Sequence, residues 1–182
     1  MSELQVVGVV GGPEPGGRTA AAVAGVLAGA AKAGARTSLL ELSRTPVADV
    51  VAALDAADAV VFGSPVYRAT YSALLKDLLE RTERGKWGER TAPLQGTVAA
   101  VVLTGASGHH FLAVNDLRDV LAGFFAVQVL SPGLYLDHGA YTDRTTLTGD
   151  AADLAAGHGL ALADLAAAVR GSAALRAITP QV

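Results

Sequence analysis

Short runs rich in valine and leucine alternate with helical patterns along the whole chain, and that alternation constrains the fold more than any other feature. The β-rich runs are Leu4–Val10, Thr37–Leu42, Ala59–Gly63, Thr97–Thr104 and Val127–Leu136, the last broken by Ser131-Pro132-Gly133. Near-continuous apolar runs of this length suit strands buried on both faces, as in a parallel sheet. Between them the pattern predicts helices over Thr19–Lys32, Val47–Ala57, Thr70–Arg84, Phe111–Phe125 and Ala151–Val169. Strict β–α alternation implies an α/β doubly wound parallel sheet with helices on both faces, here one domain over residues 1–182. Ligands of such sheets bind outside the carboxyl ends of the strands, so function is to be read in the loops after strands one, three and four.

Composition narrows the chemistry. The 182 residues carry 14 Lys and Arg against 17 Asp and Glu, a net charge of −3, which argues against a broad nucleic-acid-binding face. Apolar residues make up 51% and no cysteine is present, so disulfides, thiolate metal sites and cysteine nucleophiles are excluded. The N-terminus has no basic leader, and no apolar run approaches the ~20 residues of a membrane span, so the expectation is cytoplasmic with no membrane partner.

The first loop reads Gly11-Gly12-Pro13-Glu14-Pro15-Gly16-Gly17-Arg18-Thr19. Glycines between a strand and a helix aim backbone N–H groups at an anion, and the helix dipole assists. Thr19 can cap the helix or bond a phosphate oxygen, and Arg18 is the only cation the sequence sets beside that anion. The alternative is a plain tight turn. Gly12 to Thr19 also approximates a nucleotide-triphosphate loop with Arg18 in place of lysine. Pro13 and Pro15 remove two donors from that cradle, and no buried strand ends in a magnesium-binding aspartate, so that reading is rejected.

The second loop, Ser64-Pro65-Val66-Tyr67-Arg68-Ala69-Thr70-Tyr71-Ser72-Ala73-Leu74-Leu75-Lys76, stops a buried strand at a proline and sets Tyr67 at its end. An aromatic beside exposed backbone suits a flat heteroaromatic ring, and equally a structural strand exit. The third loop, Thr104-Gly105-Ala106-Ser107-Gly108-His109-His110, is small and polar, with no further metal ligands at helical or strand spacing. The polar Glu83–Gly96 segment belongs at the opposite edge, where Trp87 reads as a packing or subunit-contact residue. Asp137–Asp150 lies at the ligand edge, as a lid or, more commonly, a plain connection.

The segment Ser64–Lys76, with Thr104-Gly105, His110 and Leu112-Ala113-Val114, resembles the NADPH-dependent FMN reductase family. The likeness is strongest to the reductases that supply reduced flavin to alkanesulfonate monooxygenases. It implies a flavodoxin-like five-stranded sheet of order 2-1-3-4-5, FMN as cofactor, NADPH or NADH as hydride donor, homodimers or homotetramers, and a flavin-dependent monooxygenase as partner. Carried over by position, Pro65, Val66, Tyr67 and Arg68 border the flavin ring, and Thr104, Gly105, Ala106 and Ser107 close its other side. Gly12, Gly17, Arg18 and Thr19 face the phosphate. No catalytic side chain is implied, because the flavin carries the chemistry. Family members commonly have serine where this chain has Gly12 and a basic residue where it has Glu14, so the resemblance also implies weaker phosphate binding. Val114–Arg118 lacks the extra aromatic residue that forms a π-bulge in the alkanesulfonate-type enzymes, so a regular fourth helix is expected. A non-catalytic flavodoxin-like module is the alternative function.

Overall fold

Valine-rich segments pair in parallel at the centre of the protein, a computed structural model that describes residues 3–181. Strands β1 (Gln5–Val10), β2 (Arg36–Glu41), β3 (Ala59–Tyr67) and β5 (Val98–Thr104) run in the order β2-β1-β3-β5. The fifth position is filled by two short segments, β6 (Gln128–Val129) and β7 (Leu134–Leu136), both parallel to β5 and separated at Ser131-Pro132. The flavodoxin-like order holds, with the last strand divided where the sequence breaks it.

Alternation along each strand divides the core in two. Val6 and Val10 of β1 face α1 (Gly17–Lys32) and α5 (Gly149–Gly171). Val7 and Val9 face α2 (Val47–Asp55), α3 (Ala73–Glu80) and α4 (Ala113–Asp119). Period-two alternation sends successive side chains to opposite faces, and both faces are covered by helices.

Helices α1 and α5 touch backbone to backbone. A Cβ on Gly29 would lie 2.0 Å from the Ala156 carbonyl oxygen, and one on Gly159 would lie 1.9 Å from that of Val26. α5 also corrects one expectation. It has the length and mean hydropathy (1.3 over 18 residues) of a membrane span, although its Ala155, Leu162, Ala166 and Val169 belong to the core under the sheet.

Two local elements differ from the sequence reading. Thr70-Tyr71 is not the start of a helix but a short strand, β4, antiparallel to the end of β3, with Val66 opposite Tyr71 and Tyr67 opposite Thr70. Arg68 and Ala69 both have positive φ (51° and 67°), the backbone of a tight two-residue hairpin turn. Helix α3 then starts behind Ser72, whose Oγ accepts from the Leu75 N–H. The fourth helix is not regular either. Val120–Phe124 is π-helical, and the Phe125 N–H donates to the Val120 carbonyl at 3.2 Å. The wide turn lets Leu121 and Phe125 both stay buried while Ala126, at φ 58°, redirects the chain into β6.

Candidate flavin site

The carboxyl ends of β1, β3 and β5 open onto one cavity of about 450 Å³. Gly12, Gly17, Arg18 and Thr19 line it from the first loop, Pro65, Val66 and Tyr67 from the second, and Thr104, Gly105 and Ala106 from the third. Arg68 and Ser107 are outside this lining. Arg68 is exposed in the hairpin turn, and Ser107 is half-buried, its carbonyl accepting from the Tyr135 hydroxyl and its Oγ meeting His109 Nδ1 at 3.1 Å on the surface. The cavity wall also includes His138 and Arg144, both from the Asp137–Asp150 segment.

Buried serines lock the loops together. Ser72 Oγ donates to the Gly11 carbonyl at 2.6 Å, and the Ser72 N–H donates to Ser64 Oγ at 2.8 Å. Both residues are almost fully buried, so these bonds fix the second loop against the first. The sequence does show the cap signal, a serine just before an apolar periodic run, but not its partner across the sheet.

The first loop turns at Gly16, which caps α1 with φ 71° and has no side-chain cap. Thr19 therefore does not cap the helix; its Oγ1 lies 2.7 Å from Thr104 Oγ1 in a buried pair. The capping role falls to Glu41, a buried carboxylate at the end of β2, which accepts from the Gly16 N–H at 2.6 Å and from Arg44 at 2.6 Å. An anion at this end of α1 is favoured by the helix dipole. Glu41 carries no motif, and its role depends on parallel pairing that brings β2 beside β1.

Arg18 is held by its backbone rather than its head. Its carbonyl accepts from the Tyr141 hydroxyl at 3.0 Å, and its guanidinium carbon lies 5.7 Å from the Tyr141 ring centroid. Burial pushes the Tyr141 phenol well above its usual range, so it is a neutral donor here despite the opposing pull of Arg18. The buried Arg18 Nε has no hydrogen-bond partner among the described residues. A guanidinium donor left unmet at a helix N-terminus suits an incoming anion. Arg18 is also not the sole cation, because Arg144 reaches the same wall and pairs with Glu14 at 2.5 Å.

The cradle has room where the resemblance implies serine. A Cβ on Gly12 would lie 3.5 Å from the Glu14 carbonyl oxygen and 3.8 Å from Val10 Cγ1, ordinary contact distances. Tyr67, half-exposed at the end of β3, stands at the mouth.

The model of the NADPH-dependent FMN reductase family matches residues 4–141. The chain belongs to this family. Within the FMN reductases it is 34% identical over 83 residues to the NADH-dependent FMN reductase SfnF of Pseudomonas putida, a match spanning 46% of this chain and 41% of that protein. It is 36% identical over 91 residues to FMN reductase (NADPH) of Escherichia coli (strain K12), spanning 50% of this chain and 40% of that one. The chain thus matches less than half the length of these two curated relatives. Among solved structures, an NADH:FMN oxidoreductase (EMOB) in apo form superposes with a TM-score of 0.76 at 20% identity, covering 95% of this FMN reductase family member and 94% of the other chain. The flavodoxin, WrbA-like protein from Agrobacterium tumefaciens superposes at 0.71 with 22% identity, covering 92% and 99%. These two likenesses show a flavodoxin-like fold.

Proposed function

We propose that residues 1–182 act as one FMN-binding domain and that the protein is an NAD(P)H-dependent FMN reductase. The observation that carries this reading is the convergence of three loops on one cavity beside an unmet Arg18 donor. Arg18, the N–H groups at the start of α1 and the space at Gly12 suit a phosphate; Pro65, Val66 and Tyr67 suit one side of a flat ring, with Thr104, Gly105 and Ala106 opposite. FMN supplies the chemistry when bound, accepting hydride from NADPH or NADH and passing electrons to free flavin, quinone or oxygen. The side chains orient and shield it, so no acid or base is required of them. The test is to titrate the protein with FMN, following flavin fluorescence, and then to follow nicotinamide absorbance. Saturable binding with FMN-dependent NAD(P)H oxidation is expected. Saturable binding without turnover would favour a silent flavodoxin-like module, a reading to which the hold of Glu41 on the Gly16 N–H lends weight. No binding at high micromolar FMN would sink the enzyme reading.

The same reading includes a homodimer or homotetramer, a flavin-dependent monooxygenase as acceptor, and a cytoplasmic setting, which suits a cysteine-free chain. Support for self-association comes from Leu74, Phe111, Leu112 and Phe124, all exposed at or near α3 and α4. Trp87, the sole tryptophan, is 83% exposed, which suits a subunit contact. Light scattering at micromolar concentration should give a multiple of 18.3 kDa. Emission from Trp87 should shift to the red on dilution; a monomer mass would refute the oligomer.

A further inference from the structure

Arg144 and Glu14 stand 130 positions apart in sequence and meet at the rim of the cavity. Arg144 is carried at the tip of a small hairpin. Tyr141 and Leu147 pair antiparallel, the Thr142 N–H donates to the Thr146 carbonyl at 3.0 Å, and Asp143 accepts from the Thr145 N–H and hydroxyl. The hairpin lays the guanidinium against the first residue of α1, where a Cβ on Gly17 would lie 3.4 Å from Arg144 Nε. Gly17 also has φ 83°, a backbone conformation that favours glycine there.

This is a poor place for a cation. The N-terminus of α1 is the positive end of its dipole, and Arg18 already sits in the first turn. A second guanidinium brought there needs an anion beside it. In the structure Glu14 supplies it, with Oε2 2.5 Å from Arg144 Nη2. Both side chains are well exposed, at 63% and 71%, and an ion pair so open to water is weakly held and easily exchanged.

We propose that Arg144 is a specificity-determining residue for the flavin phosphate, held in reserve by Glu14. When FMN enters, Arg144 leaves Glu14 and joins Arg18 on the phosphate. Glu14 is then a stand-in for the phosphate in the flavin-free protein, and the pair sets the preference for FMN over riboflavin. The proposal rests on the FMN reading above.

The test compares the native protein with Glu14→Gln, Arg144→Gln and the double variant, each titrated with FMN and with riboflavin by flavin fluorescence. Arg144→Gln should weaken FMN by about 10-fold, the loss of one charge-assisted bond, and leave riboflavin unchanged. Glu14→Gln should tighten FMN by about 3-fold, the release of one surface pair. That gain should vanish in the double variant, because it acts through Arg144. A gain that persists without Arg144 would overturn the exchange and reduce Glu14 to simple repulsion. Unchanged FMN affinity in Arg144→Gln would also overturn it. Equal affinity of the native protein for FMN and riboflavin would defeat the inference while leaving the flavin site standing; binding of neither would remove the flavin reading with it.

Discussion

Thr19 Oγ1 and Thr104 Oγ1 meet 2.7 Å apart, joining the first turn of α1 to the end of β5 beneath the cavity. One hydroxyl hydrogen lies in the bond, leaving the other free to seek a different acceptor. Thr19→Val should strand the Thr104 hydroxyl and destabilise the fold by about 1–3 kcal/mol, and Thr104→Val should act alike. The double valine should cost clearly less than the sum, since no buried hydroxyl is then left unmet. Urea unfolding of the four proteins measures this, and additive losses would show that the two hydroxyls are not coupled.

Arg18→Ala should weaken FMN by about 10-fold or more and leave riboflavin nearly unchanged. Stability should fall little, because the Tyr141 bond goes to the Arg18 carbonyl, which the substitution keeps. Equal small losses for both flavins would leave Arg18 as a first-turn residue without a ligand role.

Gly12→Ser should fold normally and tighten FMN by about 3-fold, the value of one added hydrogen bond. The space is present, with the nearest atom to a new Cβ at 3.5 Å. Riboflavin is the control, and a gain shared by both flavins would point away from phosphate.

The Glu83–Gly96 segment should loosen in acid. Glu83 is held below its ordinary value of 4.5 first by the Thr91 hydroxyl, then by the Thr91 and Arg90 N–H groups. Glu89 is lowered by the N–H groups of Arg84 and Lys86. Protonation weakens these bonds, so their contribution is complete above pH 4.5 and fades as the pH falls through the lowered values. The Thr91 and Lys86 amide resonances should titrate with midpoints below 4.5; midpoints at or above it would contradict the geometry.

What was legible in the chain was what burial dictates. Val6 to Val10 and Val98 to Leu103 read as strands because a parallel sheet covered on both faces needs continuous apolar side chains. The carboxyl-end rule then pointed to three loops, which do meet. What escaped were features with no local pattern. Arg68 and Ala69 make a hairpin turn at positive φ without glycine or asparagine, so Thr70 and Tyr71 read as helix. Leu117, Leu121 and Phe125 keep a four-residue spacing that α- and π-turns share well enough to be confused. Glu41 and Arg144 act on the first loop from distant segments, and only the folded sheet brings them there.

The glycine contact between α1 and α5 has a mechanical consequence for the cavity. With Gly29 seated on the Ala156 carbonyl and Gly159 on that of Val26, α1 has no slack behind it and cannot recoil when something presses on its N-terminus. His138 and Arg144 come from an irregular segment that the Tyr141–Arg18 bond fastens to α1, while its tip is closed by exposed bonds among Thr142, Asp143, Thr145 and Thr146. The cavity therefore has one wall braced from behind and one stretch of rim closed only by surface bonds. Variation in size preference among engineered forms should be sought at the hairpin tip, 142–146, rather than in α1.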